Sequence, residues 1–323
     1  MGFFNYFAGM AAIAMVTYSH ATTANNVSLD LSPSGPLLVI SPGAVCADWG
    51  AWVSPQSGPV LVMQVVSKGY IDVECNFIYW MELKTSFTRN DLYLLCLDDH
   101  SIHFFESSMG IRCVPLSGFK ASSHAEIWVL RVRVLNCLVE AGHDVIMSDA
   151  DALWLADPMK HFSLPGVIDS SIVASRGSYP RELGDVWGAT MCMGFILFRA
   201  TARRSAMMKF VTAMDALMLE MKDDQMAVNI AARDFGIVWK KDSDMRYEES
   251  TGFGMGFIES LSDEDNRPLA VALLPHSAYT RICASTPVSN TTVVAHCRSS
   301  KTPEGKVDWM RHIDLWAVDK DNR

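Results

Sequence analysis

The sequence predicts an α/β domain: a mainly parallel sheet flanked by helices. Two patterns point there. Short apolar runs of strand length alternate with stretches of helical periodicity, the order that builds parallel strands joined by helical crossovers. No internal repeat or second composition block interrupts that alternation, so residues 59–323 read as one domain. The chain has 323 residues, 50% hydrophobic and 20% charged, enough apolar mass for a large core, which excludes intrinsic disorder. A net charge of -9 repels phosphate backbones and excludes general nucleic-acid binding. The 8 cysteines contain no Cys-x-x-Cys pair, so neither a zinc ribbon nor a dithiol redox motif is written here.

In chain order, residues 1–24 come first. Gly2 to Tyr18 is uncharged and mostly apolar, and is followed by Ser19-His20-Ala21 and Thr22-Thr23-Ala24, small residues spaced like a signal-peptidase site. The segment reads as a cleaved signal peptide or as a short signal-anchor holding the chain to a membrane through residues 2–18. Both readings imply the secretory pathway, with the Golgi lumen as destination. The triplets Asn26-Val27-Ser28 and Asn290-Thr291-Thr292 are glycosylation acceptors that fit a lumenal chain. Residues 25–58 mix Ser, Pro and Gly around one apolar island and read as a stem or peripheral extension.

The strand candidates are Val60–Val66, Leu92–Leu97, Arg112–Leu116, Val145–Ser148, Ser171–Ala174 and Met193–Phe198. Before the fourth lies a helix with legible ends: Ser123 with Glu126 three residues on gives the capping-box spacing, and Gly142 stops it. Ile127, Leu130, Val134, Cys137, Leu138 and Ala141 fall on one face of it. Arg131 stands at the shoulder of that stripe, where a guanidinium must reach water or meet an anion. The glycine-rich stretch Gly252–Gly256 lacks the strand-turn-helix context of a dinucleotide motif and reads as a mobile surface loop, the alternative being a loop that shapes an acceptor site.

The strand ending at Ser148 runs into Asp149-Ala150-Asp151-Ala152-Leu153-Trp154, which sets two carboxylates at a strand's carboxyl end, where open α/β sheets place ligands. The same spacing recurs at Asp242/Asp244, Asp263/Asp265 and Asp319/Asp321, but those pairs lie in polar segments. Asp149 and Asp151 are held between apolar runs, where ionised carboxylates need a partner. A divalent metal, Mn2+ or Mg2+, suits their hard oxygens. It would also reconcile them with an anionic substrate, since a diphosphate beside two carboxylates is repelled by about 4 kcal/mol per close charge pair at an effective dielectric of 20.

These residues resemble the nucleotide-diphospho-sugar transferases that include plant rhamnogalacturonan xylosyltransferases and extensin arabinosyltransferases. The likeness runs from about Val60 to Trp316. It is strongest over Leu135 to Pro158, similar to the family's helix-Gly-strand-Asp-x-Asp-x-x-Trp-Leu-x-Asp-Pro signature. Gly194-Phe195, Asp223-Asp224-Gln225 with Asn229, and Val293-Val294-Ala295-His296 follow in the family's order, and Gly305-Lys306 resembles its closing element. The resemblance implies a GT-A type, Rossmann-like fold and a UDP-sugar donor whose sugar passes, with retention, to a glycan or glycoprotein hydroxyl. It implies Asp149, Asp151 and His296 as metal ligands. Asp98, Arg131, Asp149, Asp151 and Gly194 are implied to bind the nucleotide-sugar, and Asp224 and Gln225 to act at the sugar itself. One departure stands out: Cys192 occupies a position where the family often has Asn, and a thiol cannot supply that amide's hydrogen bonds.

Two other readings remain. A strand ending in Asp-x-Asp also opens haloacid-dehalogenase-type phosphatases, though there it stands near the domain start. A non-catalytic, glycan-binding member of the same fold is the other, and the intact Asp149, Asp151, Asp224, Gln225 and His296 argue against it.

Overall fold

The computed structural model describes residues 60–318 apart from 115–122, 202, 249, 264–265, 282, 284–286 and 298–301. These residues fall within one compact unit, 41–323. The expected segments at 2–18 and 25–58 lie outside the described residues. Among the described residues, no helix is long and apolar enough to cross a membrane.

The strands are β1 (Val60–Val66), β2 (Leu92–Cys96), β3 (Cys113–Val114), β4 (Asp144–Ser148), β5 (Leu153–Trp154), β6 (Ile172–Gly177), β7 (Thr190–Phe198), β8 (Ile237–Trp239), β9 (Gly254–Ser262), β10 (Pro268–Leu273), β11 (Tyr279–Thr280) and β12 (Val294–Ala295). The helices are α1 (Ile71–Lys84), α2 (Asp99–His103), α3 (His124–Glu140), α4 (Met159–Phe162), α5 (Arg181–Trp187), α6 (Arg204–Met221), α7 (Asp224–Asp234) and α8 (Pro303–His312). Nine strands form one sheet in the order β3-β2-β1-β4-β7-β6-β10-β9-β8, and β11-β12-β5 form a second, small sheet.

The α/β sheet the sequence predicts is present, and each strand candidate coincides with an observed strand. Its parallel part is β3-β2-β1-β4, joined through crossovers that include α1 and α3. Beyond β4 the neighbours run antiparallel, apart from β6 with β10. The apolar runs of β2, β4 and β7 are buried at every position because helices cover both faces. One face, with Val62, Leu94, Ile146 and Phe195, shares a core with Phe77 of α1, Trp154 and Met310 of α8. Against the other face lies α3, packed in turn on α6 and α7.

Helix α3 starts as its sequence specifies: the Ser123 hydroxyl accepts from the Glu126 amide at 3.3 Å. Gly142, at φ 91°, supplies the left-handed turn just beyond its end. Its buried surface is broader than the predicted stripe, taking in Val129, Val132, Leu135 and Val139, because sheet and helices enclose it from several sides. Arg131 is therefore inside the packing, only 2% exposed, rather than on a shoulder.

The glycine-rich stretch differs from the sequence reading. Gly254 opens strand β9, and a Cβ on Gly256 would lie 2.6 Å from the Trp239 ring, so this glycine serves close strand packing and not mobility. The preceding turn is pinned as well. Asp244 accepts from the amides of Thr251 and Gly252, each at 3.2 Å, and Arg176, fully buried, donates to the carbonyls of Leu274, Arg246 and Gly252.

Candidate active site

The site forms where β4, β7, β12 and α7 converge. Asp149 follows β4, and its amide donates to the Gly194 carbonyl at 2.9 Å, fixing it beside the centre of β7. Trp154 then anchors the loop. Its ring is buried against Phe77, Phe87 and Phe195, and its indole N–H donates to Ser148 at 3.2 Å. Because Trp154 and Leu153 pair antiparallel with Val294 and Ala295, the next residue after β12, His296, arrives beside the aspartates. Its Nε2 is 3.5 Å from Asp149 Oδ2 and 3.7 Å from Asp151 Oδ1.

The three residues named as metal ligands are thus brought together: one ligand atom from each of Asp149, Asp151 and His296 lies within 4.8 Å of the others. Two carboxylates and an imidazole are a donor set that suits Mn2+ or Mg2+, so the residues present fit a divalent cation. Lys306, near the start of α8, bonds the Asp151 carboxylate.

Arg131 is the buried hub. Its Nη1 lies 2.9 Å from Asp149 Oδ1 and 3.2 Å from Asp224 Oδ2, and its Nη2 donates to the Met193 carbonyl at 2.9 Å. Burial opposes ionisation of Asp149, yet Arg131, and after it His296, Lys306 and Arg281, hold its pKa down to about 2. Asp224 goes the other way. Burial outweighs the pull of Arg131 and, with Asp149 and Asp223 adding repulsion, raises it to about 6.

The tandem Asp223-Asp224 divides two tasks. Asp223 caps α7, accepting from the Met226 amide at 2.7 Å, and leaves Asp224 to face Arg131. Gln225 donates to the Tyr179 carbonyl at 2.8 Å. Asn229 exchanges two 2.9 Å hydrogen bonds with the backbone of Met191, which locks α7 onto β7.

A cavity of about 450 Å³ adjoins these groups, lined by Arg131, Asp149, Gly194, Asp223, Asp224 and Gln225 among others, a volume within the range of small-molecule sites. Asp98 does not line it. Both Asp98 oxygens are taken by backbone amides, Lys68 at 2.7 Å and Ser101 at 2.9 Å, where it caps α2. Sequence reasoning missed six wall residues: Trp128, Ser178, Tyr179, Arg181, Tyr247 and Arg281. Trp128 stacks 5.5 Å over the Arg131 guanidinium, and a cation next to an aromatic one helical turn away was the one signal available for it.

A family model described as nucleotide-diphospho-sugar transferase matches residues 96–302, more than half of the chain and every predicted site residue. No curated protein matches it significantly. Among solved structures, the WbbM bifunctional glycosyltransferase aligns at 12% identity and TM-score 0.40, over 55% of this chain and 38% of that one. GlyE of Streptococcus pneumoniae TIGR4 aligns at 18% and 0.37, over 55% and 44%. Mouse xyloside xylosyltransferase 1 aligns at 12% and 0.34, over 54% and 82%. The aligned part spans less than half of the first two. All three scores are under 0.5.

Proposed function

The chain belongs to the nucleotide-diphospho-sugar transferase family, and from that premise we propose that it is a metal-dependent glycosyltransferase acting on a UDP-sugar. The acceptor is a glycan or glycoprotein hydroxyl, and the anomeric configuration is retained. The observation that carries the reading is the Asp149, Asp151 and His296 cluster opening beside a pocket walled by Asp224 and Gln225.

A divalent cation held by that cluster would supply Lewis-acid stabilisation of the departing diphosphate. The protein groups do the rest. Arg131 keeps Asp149 ionised and fixes Asp224 against the pocket. Asp224 and Gln225 are placed to hold sugar hydroxyls and to stabilise positive charge developing at the anomeric carbon. Lys306, on Asp151, adds a cation on the side where the leaving group departs. With Asp224 held on Arg131 rather than free to attack, the acceptor attacks on the same face as departure, the leaving phosphate taking its proton. An isolated glycosyl-enzyme adduct on Asp224 would overturn that order of events.

The secretory-pathway reading rests on residues 1–24, and the Cys96–Cys113 and Cys283–Cys297 disulfides and the exposed Asn290 support it. The family match sets the phosphatase reading aside. A panel of nucleotide-sugars assayed for donor turnover, with Mn2+ and with chelator, tests the proposal. UDP-sugar turnover that needs the metal and is lost in Asp151→Asn supports it, and no turnover of any donor favours the glycan-binding reading.

A further inference from the structure

Strands β11 and β12 are parallel with Thr280 opposite Ala295, so the residues that follow them, Arg281 and His296, emerge side by side. The Cys283–Cys297 disulfide closes the pair from behind. Arg281 Nη1 bonds Cys192 Sγ and lies 3.3 Å from His296 Nδ1, while its amide donates to His276 Nε2 at 3.1 Å. Its Nε and Nη2, the two-pronged edge of the guanidinium, make no hydrogen bond among the described residues, and no carboxylate there comes within ion-pair distance.

Arg131 and Lys306 are matched by Asp149, Asp224 and Asp151. Arg281 has no carboxylate in contact and feels Asp149 and Asp151 only at longer range, and it forms part of the cavity wall. A half-buried guanidinium with an open hydrogen-bonding edge at a cavity offers that edge to an anionic ligand. Its unfilled edge presents two parallel N–H groups, the geometry that takes two oxygens of one phosphate. Because Arg281 abuts His296, a phosphate drawn to the Asp149, Asp151 and His296 cluster comes within its reach.

We propose that Arg281 binds the terminal phosphate of the donor's nucleoside diphosphate, the group that departs when the sugar is transferred. The proposal rests on the donor reading above and assigns a residue that reading does not need. It also gives the Cys192 thiol a task, as the seat on which the guanidinium rests.

Calorimetric titration of UDP and of UMP, both with Mn2+, into wild type, Arg281→Gln and Arg281→Lys tests it. The expected result is that Arg281→Gln weakens UDP by about thirtyfold or more while leaving UMP unchanged, the cost of truncating one partner of an enclosed charge pair. Arg281→Lys, which keeps the charge and loses the fork, falls between. Equal weakening of both nucleotides would make Arg281 merely structural and overturn the proposal. So would unchanged UDP binding accompanied by lost turnover of an acidic acceptor, which would assign the guanidinium to a sugar carboxylate. Wild type that binds neither nucleotide contradicts the donor reading itself, and the proposal with it. Thermal unfolding establishes that each variant is folded; should Arg281→Gln not fold, the UDP-to-UMP affinity ratio of Arg281→Lys decides.

Discussion

His296 Nε2 stands 3.5 Å from Asp149 Oδ2, with the Cα of Gly194 against both side chains. A Cβ on Gly194 would overlap the imidazole and come within 2.7 Å of the Asp149 carboxylate. The glycine is there for space: its backbone is ordinary strand, and its missing side chain is what lets β4, β7 and β12 bring their ligands together.

Gly194→Ala should therefore separate the cluster. Overpacking here costs about 1–3 kcal/mol, and displacement of the ligands lowers kcat/KM by about a hundredfold or more. Urea unfolding with steady-state kinetics under saturating Mn2+ checks both, and a variant with wild-type kinetics contradicts the geometry.

Arg131 neutralises two carboxylates that share one buried space. Arg131→Leu leaves Asp224 without its cation and strips Asp149 of its nearest one, and should destabilise the fold by about 3–5 kcal/mol. Arg131→Lys keeps a charge but cannot span Asp149, Asp224 and the Met193 carbonyl at once, so its loss is smaller in stability than in activity. Chemical denaturation of the two variants measures the difference.

A separate carboxyl adds its own pH dependence to stability. Glu74 on α1 is fully buried, and the Gln64 amide, turned so that its nitrogen faces Glu74, donates to it at 2.6 Å. Burial pushes its pKa from 4.5 up to about 8. Between those values the folded chain holds a proton that the unfolded chain has lost. Its contribution is thus fully present below the unfolded value and is lost as pH rises to about 8, with a slope of at most about 1.4 kcal/mol per pH unit. Glu74→Gln should flatten the curve and exceed wild type in stability at pH 8. Urea midpoints at pH 5, 6.5 and 8 decide it.

The turn that carries Tyr247 to the pocket depends on Asp244, whose carboxyl Arg246 and the Gly252 amide hold well below the ordinary range. Asp244→Ala leaves those amides without their acceptor, costs about 1–3 kcal/mol, and raises KM more than it lowers kcat, since Tyr247 borders the cavity without contacting the metal-binding cluster. Steady-state kinetics over a range of donor concentrations separates the two parameters.

The parts of the molecule legible in the sequence are those where burial is complete. Strands β1, β2, β4 and β7 announce themselves because nearly every position is apolar, and Asp149 and Asp151 stand out because charges interrupt such a run. His296 follows from the same contrast after Val293-Val294-Ala295. Strand β9 was hidden: Gly254 and Gly256 look like loop residues until the sheet shows Trp239 packed where a side chain would be. Arg281 and Tyr247 were hidden for another reason. One reaches the site through the β11 to β12 register and the other through the Asp244 turn, and neither pairing leaves a mark in local sequence. Asp98 shows the converse, a carboxylate at a strand end that the structure spends on capping α2.

The central claim is a nucleotide site completed by a metal on Asp149, Asp151 and His296. Calorimetric titration of UDP into the folded chain, with Mn2+ and with chelator, in wild type and Asp151→Ala, tests it most directly. The account predicts binding that appears with Mn2+ and vanishes in the variant. UDP binding of equal strength with chelator present, or in Asp151→Ala, would contradict it.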